Sequence, residues 1–270
     1  MKTILNQKTL HQDLDIMSLA LYGHACFTSF LVQNKKVKGL HFHLERLIND
    51  SFEIFGQSPD KNEILKNILA FLNQQKTSYY GGVRITVFPS NFSLSNPGDF
   101  KIFNILVTGR KIENTNASPI NIVSIEAKRT CPLQKTSNII ANIKARIEAQ
   151  GKGAQDALML HNDIITEGAT WNIFFGTGNN LVTPSIQSEV LPGIARKLLI
   201  EAAISSNYKI MESEIEITEI EKYEYCFISN SLIGLRPVFR INNIIYDTEN
   251  PNIKYLQQKF GEIPDENIVS

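Results

Sequence analysis

The 270-residue chain reads as an α+β protein of two domains, on three observations. Its length is nearly twice the roughly 150 residues of an ordinary domain. Helical and strand-like patterns follow one another in mixed order. The sequence also changes character across 118–134, where long patterned segments give way to short apolar runs punctuated by Gly and Asn. The expected division is a first domain at 1–124, a linker at 125–134 and a second domain at 135–270.

In chain order, 27–33 (Phe-Thr-Ser-Phe-Leu-Val-Gln) reads as a strand, turned by Asn34-Lys35-Lys36. A helix is expected to begin near Leu44, with Leu44, Leu47, Ile48 and Phe52 on one face. A second follows at 61–74, carrying Ile64, Leu65, Ile68, Leu69, Phe71 and Leu72. Gly81-Gly82 opens a strand at 83–88, and 100–107 and 120–125 read as two more, separated by a polar turn at 114–119. A helix at 137–150 is ended by Gly151-Lys152-Gly153. Apolar runs at 157–160, 172–175 and 181–183 follow, the last two joined by hairpin-loop residues Gly176 to Asn180. Pro192-Gly193 introduces a helix at 194–204, and 225–228 reads as a buried strand.

Composition narrows the function. Hydrophobic residues at 43% and charged residues at 20% suit a packed globular protein rather than a disordered one. Lys plus Arg equals Asp plus Glu at 27 each, so no net field draws the chain to nucleic acid or to an anionic membrane. The start turns polar too soon for a signal peptide, and no apolar run approaches a membrane span. Cys26, Cys131 and Cys226 are few and far apart, which fits a reducing, cytoplasmic setting and neither a disulfide framework nor a cysteine zinc site. His41-Phe42-His43 would put two imidazoles on one face of a strand, but no third ligand stands at metal spacing, so no metal is expected. HExxH, GxSxG, Walker A and GxGxxG are all absent.

The informative stretch runs from Lys135 to Arg196. It holds Lys135-Thr136-Ser137-Asn138, then Glu167-Gly168-Ala169-Thr170-Trp171-Asn172-Ile173-Phe174, Leu181-Val182-Thr183 and Leu191-Pro192-Gly193-Ile194-Ala195-Arg196. Upstream are Tyr22 to Ser29 and His43-Leu44-Glu45-Arg46-Leu47; downstream are Ser229 to Gly234 with Pro237-Val238. Together these resemble the signature of the class IV pyridoxal-phosphate enzymes, which include branched-chain and D-amino-acid aminotransferases and aminodeoxychorismate lyase. The resemblance covers about residues 19 to 240. It implies the fold-type IV architecture, with mixed sheets and a barrel-like C-terminal domain. It also implies a homodimer whose active sites lie between the domains.

The resemblance assigns roles that chemistry requires of these residue types. Only a lysine offers a side-chain primary amine to condense with the cofactor aldehyde and then act as base, and Lys135 takes that role. The amine must be largely uncharged to do so. Glu167 would keep the cofactor ring nitrogen protonated. Arg46, the backbone N–H groups of Ile194 and Ala195 at a helix start, Ser231 and Thr170 would hold the cofactor. Ala195 stands where aminotransferases carry a Thr, which leaves only its backbone donor. Taken singly, Lys135 would be a surface amine, Glu167 a turn residue and Arg46 a solvated charge; the motif context moves all three toward function. Asn172 reads as structural, and Trp171 and Phe174 as core.

Three features favour the lyase, which makes 4-aminobenzoate and pyruvate. Cys26-Phe27-Thr28-Ser29 resembles its Cys-Phe-Thr-Thr segment and puts the Ser29 hydroxyl near the reacting centre. Asn230-Ser231-Leu232 resembles its turn, and Arg84 occupies the place of a residue that meets a substrate carboxylate. Ser29 and Asn230 join Arg84 as expected substrate contacts. Against it, Phe88-Pro89-Ser90-Asn91-Phe92 replaces an Arg-Gly-rich stretch. The alternatives are an aminotransferase acting on branched-chain or D-amino acids with 2-oxoglutarate, and a non-catalytic relative that keeps the fold.

Overall fold

The computed structural model describes residues 3–5, 8–10, 14–76, 78–112 and 118–269. After a short hairpin, β1 (Thr3–Leu5) and β2 (Lys8–Leu10), and helix α1 (Leu14–Tyr22), the chain enters β3 (Cys26–Gln33) and β4 (Lys36–Lys38). Helices α2 (Leu40–Phe55) and α3 (Lys61–Asn73) follow, then β5 (Tyr80–Pro89) and β6 (Phe103–Arg110). Successive side chains on a strand point to opposite faces. Cys26, Phe30 and Val32 of β3 and Val83, Ile85 and Val87 of β5 therefore share one face, buried under Leu44 and Leu47 of α2 and Ile64, Ile68 and Leu72 of α3. The opposite face carries Phe27, Ser29, Arg84 and Thr108 and is left for the second half of the molecule.

That second half is built from β7 (Ile120–Glu126), α4 (Ile140–Gly151), β8 (Asp156–His161), β9 (Ile164–Gly168), β10 (Asn172–Thr177) and β11 (Asn180–Pro184). It continues through α5 (Ile194–Ser205), β12 (Lys209–Ser213), β13 (Tyr225–Asn230), β14 (Gly234–Ile241), β15 (Ile244–Ile245) and α6 (Pro251–Glu262), and ends in β16 (Asp265–Asn267). Its strands run β12-β11-β10-β13-β14-β7-β8-β9, with β15 beside β14, and β9 returns against β10 and β11 so that the sheet curls into a half-barrel. Strands β7 and β8 are parallel, so the chain between them must cross over. That crossover carries Arg129, Lys135 and α4, and it is pinned to the first sheet by Phe27 N–H to Lys135 O and Ser137 N–H to Ala25 O, each 2.8 Å.

Several expectations shift. Helix α2 starts at Leu40, after Gly39 in the left-handed region at φ 66°, and not near Leu44. His41 and His43 therefore lie on a helix, where two positions are about 200° apart, and they face opposite ways. His41 pairs with Glu266 at the surface and His43 is buried against Thr28, so the shared strand face does not form. Phe52 is 56% exposed, because it sits about 80° around the helix from Leu44. Gly81 and Gly82 lie inside β5 rather than ahead of it, and β6 begins at Phe103, which frees Phe100 to pack edge-on against Phe55. The turn expected at 114–119 falls mostly on 113–117, outside the described residues. β7, which begins at Ile120, pairs with β8 and β14, so the second sheet takes residues from within 1–124. β16 pairs with β4 and returns the C-terminal end to the first sheet.

Helix α3 has Asp60 as N-cap, accepting from Glu63 N–H at 2.9 Å. Leu47, fully buried between α2 and the first sheet, is expected to cost about 2–5 kcal/mol as Leu47→Ala, read as a lowered urea midpoint.

Candidate active site

A cavity of about 380 Å³ opens between the cavity-facing side of the first sheet and the half-barrel. Of the residues expected at the site, Lys135, Ser29, Arg46, Arg84, Glu167, Thr170, Ile194, Ala195, Asn230 and Ser231 all line it. They come from strands, the turns between them, helix α2, the start of α5 and one crossover loop, spread over some two hundred positions.

Lys135 enters from the crossover, its ammonium 4.8 Å above the Phe27 ring. Its backbone N–H donates to Asp50 Oδ2 at 2.9 Å, which ties the loop to α2. Burial of the ammonium, with the positive charges of Arg46 and Arg129 nearby, pulls its pKa from 10.5 to about 7, with Glu167 opposing. The side chain is still reached from the cavity. A largely uncharged amine near neutral pH is what the assigned base requires.

Glu167 stands on β9, paired with Arg129 Nη1 at 2.9 Å; both side chains are 6% exposed. Burial raises its carboxyl, while Arg129 draws it back down. Arg129 donates further to Pro132 O (3.0 Å) and Gln134 O (2.6 Å), so one guanidinium shapes the loop leading to Lys135 and holds the Glu167 carboxylate. Nothing in the sequence marked Arg129. It lies in the expected linker, and its partner is 38 positions away.

At another part of the cavity Arg46 reaches toward the start of α5, donating to Pro192 O and Thr28 Oγ1, both 3.2 Å. Arg46 has no lone pair to offer, so the Thr28 hydroxyl accepts from it and donates to His43 Nδ1 at 2.7 Å. Burial keeps His43 neutral, and the chain His43–Thr28–Arg46 fixes the guanidinium. Burial lowers Arg46 to about 10, with Asp50 opposing, so it remains a cation at neutral pH. Gly193 is the N-cap of α5 and provides no side-chain cap, which leaves the first N–H groups of the helix for an anion.

Gly193 is held by close approach: a Cβ there would stand 2.0 Å from Asn172 Oδ1, while Asn172 Nδ2 donates to Leu191 O at 3.0 Å. Asn172 thus has the structural role expected of it. Gly193→Ala is expected to destabilise the fold by about 1–3 kcal/mol and to weaken cofactor retention, measured by thermal melting and by loading.

On the sheet wall Ser29 faces Arg84 across β3 and β5. Arg84 stacks 3.6 Å from the Phe27 ring and donates to Thr86 Oγ1 and Ser137 Oγ, each at 3.0 Å. Asn230 is largely committed: its Oδ1 accepts from Leu232 and Ile233 N–H at 3.0 Å each, and its Nδ2 donates to Thr170 O. Thr170 Oγ1 accepts from Arg146, which chelates Asp156 together with Trp171 Nε1. These two side chains shape the wall.

The fold and this convergence of lysine, carboxylate and anion cradle define an enzyme site of the kind that uses an organic phosphate cofactor. The family model for amino-transferase class IV matches residues 25–241, and the chain belongs to that family. It is 28% identical over 257 residues to a probable branched-chain-amino-acid aminotransferase of Rickettsia bellii, covering 90% of this chain and 87% of that one. It is 32% identical over 155 residues to branched-chain-amino-acid aminotransferase 5 of Arabidopsis thaliana; that match covers 54% of this chain and spans 36% of that relative's length. A candidate 4-amino-4-deoxychorismate lyase from Legionella pneumophila has the same fold, with a TM-score of 0.82 at 24% identity over 91% of this chain and 93% of that one. The chain is therefore a pyridoxal-phosphate-dependent enzyme, an aminotransferase or a lyase. No helix among the described residues is long and apolar enough to cross a membrane.

The residues fit the cofactor. Arg46 Nε and Ser229 Oγ are buried without a hydrogen-bond partner on the cavity wall, beside the uncapped start of α5, which is a ready set of donors for a phosphate. The Glu167 carboxylate would supply the negative charge a protonated ring nitrogen needs.

Proposed function

We propose that this enzyme is a 4-amino-4-deoxychorismate lyase. The observation that carries the reading is the wall beside Lys135, where Ser29 lies opposite Arg84 and, among the described residues, no carboxylate pairs with either. That wall suits an anionic substrate and brings a hydroxyl to the reacting region. When bound, pyridoxal phosphate supplies an electron sink for the substrate carbon that bears nitrogen. Arg46, the N–H groups of Ile194 and Ala195, and Ser231 hold its phosphate, with Thr170 and Glu167 on its ring side. Lys135 Nζ, in the uncharged form that its lowered pKa of about 7 makes available near neutrality, removes the proton from that carbon. Overall, the neighbouring C–O bond breaks, enolpyruvate leaves and takes up a proton to become pyruvate, and the ring becomes aromatic as 4-aminobenzoate. Ser29 is the group assigned to proton handling at the leaving side.

The names of relatives, among them branched-chain-amino-acid aminotransferases and a D-alanine aminotransferase, favour a second reading, an aminotransferase for branched-chain or D-amino acids. Both readings begin with the same proton removal. Product analysis separates them: the enzyme is given aminodeoxychorismate in one reaction and amino donors with 2-oxoglutarate in another. Rapid keto-acid exchange without 4-aminobenzoate rejects the lyase. A cytoplasmic homodimer belongs to the same proposal. Ile140, Ile143 and Ile147 form an exposed apolar stripe on α4 that supports it, and sedimentation tests it.

Thr28→Val removes the hydroxyl between His43 and Arg46 and is expected to weaken cofactor binding about tenfold, read by equilibrium loading.

A further inference from the structure

Asp50 is a carboxylate in the interior, 7% exposed, on the helix that also carries Arg46. The two stand four positions apart on α2, about 6 Å along one face. Asp50 Oδ2 accepts from Lys135 N–H at 2.9 Å, while Phe27 N–H donates to Lys135 O at 2.8 Å. Both backbone polar groups of Lys135 are therefore taken, one by α2 and one by the first sheet. Only the bond to α2 depends on a side chain, so the residue at position 50 decides whether it forms. Burial pushes the Asp50 carboxyl up, and the Lys135 N–H with the charges of Arg46, Lys135 and Arg129 draws it back.

One stiff helix thus touches both ends of the site. Through Arg46 it meets the start of α5 at Pro192 O, where the uncapped N–H groups stand. Through Asp50 it meets the loop that bears the amine. A cofactor seated by its phosphate presents its aldehyde at a fixed distance, and the amine has to be waiting there.

We propose that Asp50 is a positioning residue, which uses its bond to the Lys135 backbone to set the distance between the phosphate cradle and the Lys135 amine. The inference rests on the function proposed above in taking Lys135 as the amine that meets the cofactor, and not on the choice between lyase and aminotransferase.

Two forms of the cofactor separate placing the lysine from building the cradle. Pyridoxal phosphate uses both, since its aldehyde condenses with an amine and releases water. Pyridoxamine phosphate has the same phosphate and ring but no aldehyde, and uses the cradle alone. Equilibrium loading of the full chain with each, followed by absorbance, gives the margin of the first over the second. Asp50→Ala is expected to shrink that margin about tenfold, the scale of one hydrogen bond. Asp50→Asn, which keeps an acceptor at the same reach, should restore most of it. Asp50→Glu, which keeps the charge but moves the oxygens, should not. An unchanged margin in Asp50→Ala overturns the proposal, whether both ligands bind as before or both weaken together. So does a margin lost as fully in Asp50→Asn as in Asp50→Ala, since charge and not the bond to the loop would then be at work. Lys135→Met should erase the margin. A margin that survives it overturns the amine assignment and this inference together; one erased there but untouched in Asp50→Ala overturns this inference alone.

Discussion

Lys135→Ala should abolish turnover, with an expected loss of about 10⁴-fold or more, because in the proposed assignment one nitrogen is both the anchor for the cofactor and the base. The visible band of the loaded cofactor should disappear, and borohydride reduction with peptide mapping should label Lys135 in the unaltered enzyme. An unlabelled Lys135 in fully loaded protein would falsify the assignment. Burial and the neighbouring arginines hold this amine near pH 7, so activity should rise with pH through about 7 and level off above it. The same shift acts on stability before cofactor is added. In the unfolded chain the amine titrates near 10.5, so between about 7 and 10.5 the unfolded state binds more protons and the contribution to stability grows with pH. That contribution is full above 10.5 and is lost as pH falls through 7. Lys135→Met should flatten this part of the stability–pH curve.

Glu167→Gln is the second large effect. Glutamine keeps the shape but not the charge, and two consequences follow. In the proposed assignment the cofactor ring nitrogen would lose the carboxylate that keeps it protonated, with an expected fall in kcat of about 10²–10³-fold. Arg129 is left as a buried cation without its counter-charge, which costs about 3–5 kcal/mol when such a pair is broken. A double variant with Arg129→Met separates the two, because it should recover much of the stability and none of the rate. Recovery of rate in the double variant would show that Glu167 acts through the loop and not on the cofactor.

Lys135, Glu167 and Arg46, singled out by the motif resemblance, do line one cavity, and the chemistry proposed for them admits few other residue types. The hairpin at β10 and β11 was also legible, since Gly178 in the left-handed region is what its loop requires. The misread histidines show the limit. Their spacing of two was compatible with a strand, and one positive-φ glycine at 39 put them on a helix instead.

Local pattern indicated the α+β class, and the resemblance of the motifs indicated the pyridoxal-phosphate family and singled out a lysine, an acid and an arginine as its candidate site. The tertiary structure decided the rest. The crossover between parallel strands brings Arg129 to Glu167, the sheet register sets Arg84 opposite Ser29, and Arg46, held by Thr28 and His43, meets the start of α5 at Pro192 O. These are meetings of groups tens of positions apart. Their geometry follows from how two sheets pack, which no short-range pattern in a chain encodes.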